Sequence, residues 1–330
     1  MIAWSFRRLR FEMLALAGAL VGVGVLALIT GRAMSHTYHS SGLAECLAQR
    51  ASGADCADLL DQFDRQFGGL QILIIPLVLL PVVLGAFIGS PLVAREVEAG
   101  THRFFWTQGI TRSRWLGSSA GAVVATAAGA GALYSLIALA WLDVTNRVSG
   151  DRFSSLYDFQ GVIPIAATVL AAALGVLAGA VLRRTVPAMA ATFAAFIAIR
   201  LPLALFVRPH LATPVTASLP FGDDDLLEGT DAWVLSNVTV DATGRVLGRD
   251  GSLDVSGIIG RCPSLPRDTS GFPAREAVDA CLRELGVRSV VKYQPGNRFW
   301  TFQLIESGML LGVAAVALAL AFVAVRRRIT

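Results

Sequence analysis

The chain has 330 residues, 54% hydrophobic and 16% charged, with a mean hydropathy of +0.61 and a formal net charge of +4 at pH 7. That balance excludes an ordinary soluble domain, and the modest basic excess, concentrated in short arginine clusters, points to membrane topology and to no nucleic-acid partner. A helix needs about 20 mainly apolar residues to cross the hydrocarbon core, and six runs qualify: 13–31, 70–93, 117–142, 161–182, 187–207 and 300–325.

Residues 1–12 interleave Arg7, Arg8 and Arg10 with Trp4, Phe6 and Phe11, which suits a short helix lying in the inner membrane interface. The apolar run that follows resembles the core of a secretory signal. It is longer than the roughly 7–15 residues usual there, and "TGRAM" is a poor cleavage site, so the run is kept as span one. The loop 32–69 is acidic, with Glu45, Asp55, Asp58, Asp61 and Asp64, and holds Cys46 and Cys56. His36 and His39 read as a solvated pair, and no metal site is expected.

Span two contains Pro76 and Pro81, each of which removes a helix hydrogen bond; they either kink a pathway-lining helix or bend it locally. The loop 94–116 comes next. It carries Arg95, Glu96, Glu98, His102 and Arg103, followed by the wedge Phe104, Phe105 and Trp106. A helix of this make-up lies at the inner membrane surface with its charges toward the cytosol, where it docks on a soluble partner or simply orients the protein.

Small residues four apart recur in the spans, at Gly18 and Gly22, Gly117 and Gly121, and Gly175 and Gly179. The spacing permits close backbone approach, within one subunit or across a dimer seam. Spans four and five are joined by the short link "RRTVP". Span five offers Phe193, Phe196 and Phe206, candidates to line a pathway for an amphipathic or lipid-like cargo, or to face lipid.

Ionisable groups inside spans are costly. Arg200 in span five and Glu306 in span six fall at similar depths, roughly 10 Å from the same surface at about 1.5 Å per residue. They either pair as a clamp, or Arg200 snorkels outward while Glu306 faces a wet cleft.

Between these spans, 208–299 reads as a small α+β subdomain. "AWVLSNVTVDATGRVLG" alternates and turns like a hairpin with Thr243 and Gly244 at its tip, "FPAREAVDACLRELG" reads as a helix ended by Gly286, and "VRSVVKYQP" as a strand. A Cys262–Cys281 disulfide would tie that helix to the run before it.

The short arginine clusters, at the N-terminus, in 94–116, at Arg183 and Arg184 and at Arg326, Arg327 and Arg328, all fall on one side of this map. Both termini are therefore expected in the cytoplasm, and the four cysteines, as two local disulfides, on the oxidising side. The expected fold is an all-α polytopic membrane protein. It comprises an interfacial segment 1–12, helices one to five within 13–207, the extracytoplasmic α+β subdomain 208–299, and helix six with a basic tail in 300–330.

The only lysine is Lys292, in "VVKYQ", so no G-x-x-x-x-G-K-[ST] loop can be written in this chain. No H-E-x-x-H motif is present, and no serine, histidine and acid set falls within the spans. An enzyme, or a cofactor held by this chain, is not expected.

Three stretches carry a family resemblance: "PLVAREVEAGTHRFFWTQGITRSRWL", "WSFRRLRFE" and "YQPGNRFWTFQLIESGMLLG". They resemble the permease subunits of bacterial type-2 ATP-binding cassette exporters, particularly the arginine-rich actinobacterial ones. The resemblance implies a coupling helix, carried onto Arg95, Glu96, Glu98, Gly100, Thr101, His102 and Arg103, that fits a cleft in a separate cytoplasmic ATPase. It implies two ATPase copies holding ATP and magnesium, a second permease subunit, more readily a homodimer than a heterodimer, and surrounding lipid. The segment 208–299 is larger than the short re-entrant hairpin of many relatives. The competing expectation is a non-transporting receptor or anchor whose disulfide-tied outer domain binds a ligand.

Overall fold

The structure, a computed structural model, describes residues 10–49, 55–98, 112–150, 152–153, 156–221, 230–250, 252–253, 262 and 275–328. They fall into two compact units, Met1–Val148 with Ser155–Arg208 and Trp300–Thr330, and Ser149–Ser154 with Pro209–Phe299.

The first unit is helical. Its elements are α1 (Arg10–Ser40), α2 (Leu43–Ala48), α3 (Ala57–Phe67), α4 (Ile74–Glu98), α5 (Arg112–Ser149), α6 (Ile163–Leu182), α7 (Thr185–Pro202) and, after the second unit in sequence, α9 (Phe299–Arg328). Among the described residues six helices, α1, α4, α5, α6, α7 and α9, are long and apolar enough to cross a membrane. The expected interfacial segment lies almost wholly outside the described residues.

Helix α6 is apolar all round and buried along most of its length, as a central span must be. Glycine sets its distance from α4. A Cβ added at Gly175 would stand 2.7 Å from the backbone nitrogen of Ser90, and one at Gly89 would collide with the Ala172 carbonyl. Gly179 likewise meets Ser90 and Ala94. The Gly175 and Gly179 pair therefore packs within one chain. Gly121, by contrast, has open space around it.

Pro81 lies inside α4, but Pro76 sits in its first turn, where the missing N–H has no partner to lose. The interruption expected at Pro76 is instead the start of the helix, which follows a 3₁₀ segment, Gly68–Leu73.

The second unit is a five-stranded antiparallel sheet with one described helix. Strands β1 (Val215–Pro220), β2 (Trp233–Val240), β3 (Val246–Arg249), β4 (Ser252–Leu253) and β5 (Arg288–Gln294) take the order β1-β5-β2-β3-β4. Helix α8 (Arg275–Glu284) puts Leu282 against Val287, with Phe221, Leu247 and Val278 alongside. The hairpin of β2 and β3 turns at Asp241–Arg245 with Gly244 at φ +86°. Gly286 ends α8 at φ +70°. Strand β1 had no counterpart in the sequence reading. Disulfides join Cys46 to Cys56 and Cys262 to Cys281.

Candidate functional site

The chemistry-bearing cluster of the helical unit is built from four charged side chains, two of which periodicity and hydropathy did not single out. Arg200 stands in the last turn of α7. The chain then passes through a π-helical turn, Leu203–Val207, into a 3₁₀ turn, Arg208–His210. Eight residues of unbroken α-helix at 3.6 per turn would leave Arg200 and Arg208 roughly 80° apart around the axis. The wider π turn takes up that angle, and both guanidinium groups reach the same two carboxylates.

Glu306, on α9, is fully buried. Its Oε1 accepts from Arg200 Nη1 and, at 2.9 Å, from Arg208 Nη2; its Oε2 accepts from Arg208 Nε at 2.9 Å. Asp158 Oδ1 accepts from Arg200 Nη2 at 2.6 Å and from Arg208 Nη2 at 2.5 Å. The Arg208 guanidinium lies over the Tyr157 ring, 4.4 Å from its centroid. Two cations thus face two anions, each guanidinium bonded to both carboxylates, the pairing under which buried charge is tolerated. Burial, then the Glu306 carboxylate, pushes the Tyr157 phenol above its ordinary range, so it stays neutral beside the cluster.

Gln303, one helical turn before Glu306, positions the carboxylates. Its Oε1 accepts from the backbone N–H groups of Val162 and Ile163 at 3.1 and 3.3 Å, and its Nε2 donates to the Tyr157 carbonyl at 3.3 Å. It supplies the acceptor that the first residues of α6 lack and holds the 3₁₀ turn Tyr157–Phe159, which carries Asp158, against α9. Gln160 exchanges amide hydrogen bonds with Asn146 at 3.0 and 3.2 Å, tying that turn to α5. Asp158 was missed because it lies in the loop between spans three and four, and Arg208 because it falls one residue past the run 187–207. The signal that could have found Arg208 is its spacing of eight from Arg200 on an otherwise apolar segment.

The residues carried over for coupling are divided. Arg95, Glu96 and Glu98 form the last turn of α4, whereas Gly100, Thr101, His102 and Arg103 lie outside the described residues. Glu98 reaches the start of α7. Its Oε2 accepts from the Thr185 backbone N–H at 3.2 Å and from Thr185 Oγ1 at 2.9 Å. The residue preceding α7, Arg184, makes no side-chain cap, so Glu98 satisfies a helix N-terminus from another helix. Thr192, further along α7, shares a buried hydrogen bond of 3.2 Å with Ser90 of α4.

Of the pathway candidates, Phe196 is buried in the helical core, and Phe193, like Phe206, is exposed on the surface of the unit. Pro81 is buried. Among the described residues no group of three histidine, cysteine, aspartate or glutamate side chains converges as metal ligands would.

Residues 17–208 match a family model described as ABC-2 membrane transporter related. No curated protein and no solved structure matches the chain.

Proposed function

We propose, for a chain that belongs to the ABC-2 membrane transporter related family, that it is the permease subunit of an ATP-driven exporter, worked by a separate cytoplasmic ATPase to expel an amphipathic or lipid-like substrate. The family establishes a multi-pass membrane transport component of the ABC exporter kind, which partners an ABC ATPase subunit. The coupling, the cargo, two ATPase copies and a homodimeric permease pair are our reading. The observation that carries it is the family match over 17–208, which takes in five of the six spans and the whole charged loop between α4 and α5.

We place the basic ends of the spans, with both termini, in the cytoplasm, following the arginine distribution. The loop 99–111 is then cytoplasmic and meets the ATPase. The Asp158, Arg200, Arg208 and Glu306 cluster lies toward the outer face, where it ties the outer ends of spans five and six to the turn before span four. Energy enters at one end of α7 through the Glu98 and Thr185 contact, and the ion cluster holds the other.

Co-expression with the ATPase encoded beside this chain tests the reading. The expected result is a stable complex that drives ATP-dependent export from inverted vesicles and loses it, with ATPase binding weakened, when His102 and Arg103 are both changed to alanine. A permease that purifies alone and binds an outer ligand without any ATPase would favour the receptor reading instead.

A further inference from the structure

We propose that the open face of the second unit's sheet docks on an anionic lipid surface through Arg249, Arg288 and Lys292. Strand pairing sorts the side chains, because residues directly opposite one another point to the same face and successive residues alternate. Helix α8 packs on one face, where Leu282 and Val287 meet Phe221 and Leu247. By alternation Ser289 and Val291 of β5 share that face with Val287, and both are buried. The residues between them point the other way: Arg288 and Lys292 are exposed and Val290 is half-buried. Across this open face Lys292 stands opposite Thr216 of β1 and Ser236 of β2, and Val290 opposite Ser218 and Val238. Val238 in turn pairs with Arg249 of β3, which is exposed.

The face thus sets three cations and a row of hydroxyls around a valine centre, and among the described residues the pairing brings no carboxylate onto it. The two carboxylates that flank β3 are held by backbone N–H groups. Asp241 Oδ1 accepts from those of Thr243 and Arg245, and Asp250 Oδ1 from that of Asn237 at 3.1 Å. At about 3.4 Å per residue, Arg288 and Lys292 are roughly 14 Å apart along β5. Arg249, two strands away, stands level with their midpoint. Cations spread this widely over a sheet suit a surface of separate headgroups.

Area and tether decide for lipid over a soluble acidic protein. Three strand spacings by the distance from Arg288 to Lys292 give about 200 Å², well short of the roughly 800 Å² per partner that a stable protein complex buries. A weak face is enough for a surface that the chain itself keeps near, since tethering raises the effective concentration. Lys292 is seven residues from Phe299, where the membrane-crossing helix α9 begins. At no more than about 3.6 Å per residue it stays within roughly 25 Å of that helix. Each basic residue beside an anionic bilayer then strengthens attachment roughly fivefold. The docking is independent of the export reading and of which side of the membrane the unit occupies.

Lys292 is the only lysine in the chain, so an uncharged amine-reactive ester reports on this face in isolation once the N-terminal amine is set aside. Full-length protein is placed in nanodiscs of phosphatidylcholine alone, or of phosphatidylcholine with phosphatidylglycerol, and acylation of the Lys292 peptide is followed by mass spectrometry. In the anionic discs it should run roughly three- to tenfold slower, and the protection should fade as added salt screens the surface. Arg249→Gln combined with Arg288→Gln should remove most of that protection while leaving the melting temperature and the labelling in neutral discs unchanged. Equal labelling of the native chain in the two discs overturns the proposal. So does protection that the double variant leaves intact, which would report only the proton excess beside an anionic bilayer. Protection found in native membranes but absent from discs of the extracted lipids assigns the face to an acidic protein partner and overturns it as well.

Discussion

Arg208 and Glu306 lie 98 residues apart in sequence and meet through two parallel hydrogen bonds, Nε to Oε2 and Nη2 to Oε1, both 2.9 Å long. Arg200 shares the same carboxylate, so Glu306 answers to two cations and not to one partner. Removing one member of such a buried set leaves charge uncompensated, at a cost of roughly 3–5 kcal/mol. Glu306→Ala should therefore lower the melting temperature of the purified protein sharply. Reversing both Arg200 and Glu306 should fail to restore it, because Arg208 would then face a like charge. Arg208→Lys should cost more than Arg200→Lys, since lysine cannot reproduce a planar two-pronged donor stacked on Tyr157. Thermal unfolding in detergent measures all four, and recovery of native stability by the double reversal would contradict the shared carboxylate.

Glu98 caps α7 from α4, and two variants separate its two hydrogen bonds. Thr185→Val removes the hydroxyl donor and keeps the backbone one, whereas Glu98→Ala removes the acceptor of both. Loss of a helix cap costs about 0.5–2 kcal/mol, and the exposed setting places Thr185→Val toward the lower end. Hydrogen exchange of the first amides of α7 should quicken in both variants, more so in Glu98→Ala. Unaltered exchange in Glu98→Ala would show that the contact contributes nothing in solution.

The two glycine pairs of identical spacing should behave oppositely. A side chain at Gly175 runs into the backbone of α4, so Gly175→Leu should destabilise by about 1–3 kcal/mol through overpacking. Gly121→Leu enters open space and should be close to silent. Melting temperatures of the two variants, taken side by side, decide the matter; a drop at Gly121→Leu accompanied by loss of dimer in size-exclusion chromatography would point to a subunit seam there.

The β2–β3 turn should loosen in acid. Asp241 Oδ1 accepts from the hydroxyl and backbone N–H of Thr243 and from the N–H of Arg245, and these bonds, the Thr243 hydroxyl foremost, hold its carboxyl below the usual aspartate value. A depressed folded value means that the ionised form stabilises the turn. Its contribution is complete above the ordinary aspartate range and is lost as pH falls through the folded value. Asp241→Asn should flatten the pH dependence of amide exchange at Thr243 and Arg245 in that acid range, while the native chain shows faster exchange as the carboxyl is protonated.

Much of this protein was written in its composition. Runs of about 20 apolar residues fix the spans, because a bilayer offers no water to unpaired backbone groups and a helix must be long enough to cross. Local alternation fixed the β2–β3 hairpin, and Gly286, which takes a positive φ, fixed the end of α8. These features are decided within a few residues of one another, so a linear reading reaches them. Depth along the membrane also brought Arg200 and Glu306 to one level.

Depth, however, does not say who stands beside whom. That Arg208 turns back toward Arg200 depends on a single π turn, a local change of winding that no hydropathy pattern encodes. Asp158 joins them only because Gln303 and Asn146 hold its turn from two distant helices. The same limit explains Glu98: its charge pattern suggested an outward-facing docking residue, but the start of α7, eighty-seven residues later, lies within hydrogen-bonding reach. Burial and polarity are properties of segments and can be read from segments, whereas the partner of a buried charge is set by how helices pack, and packing exists only once the chain has closed on itself.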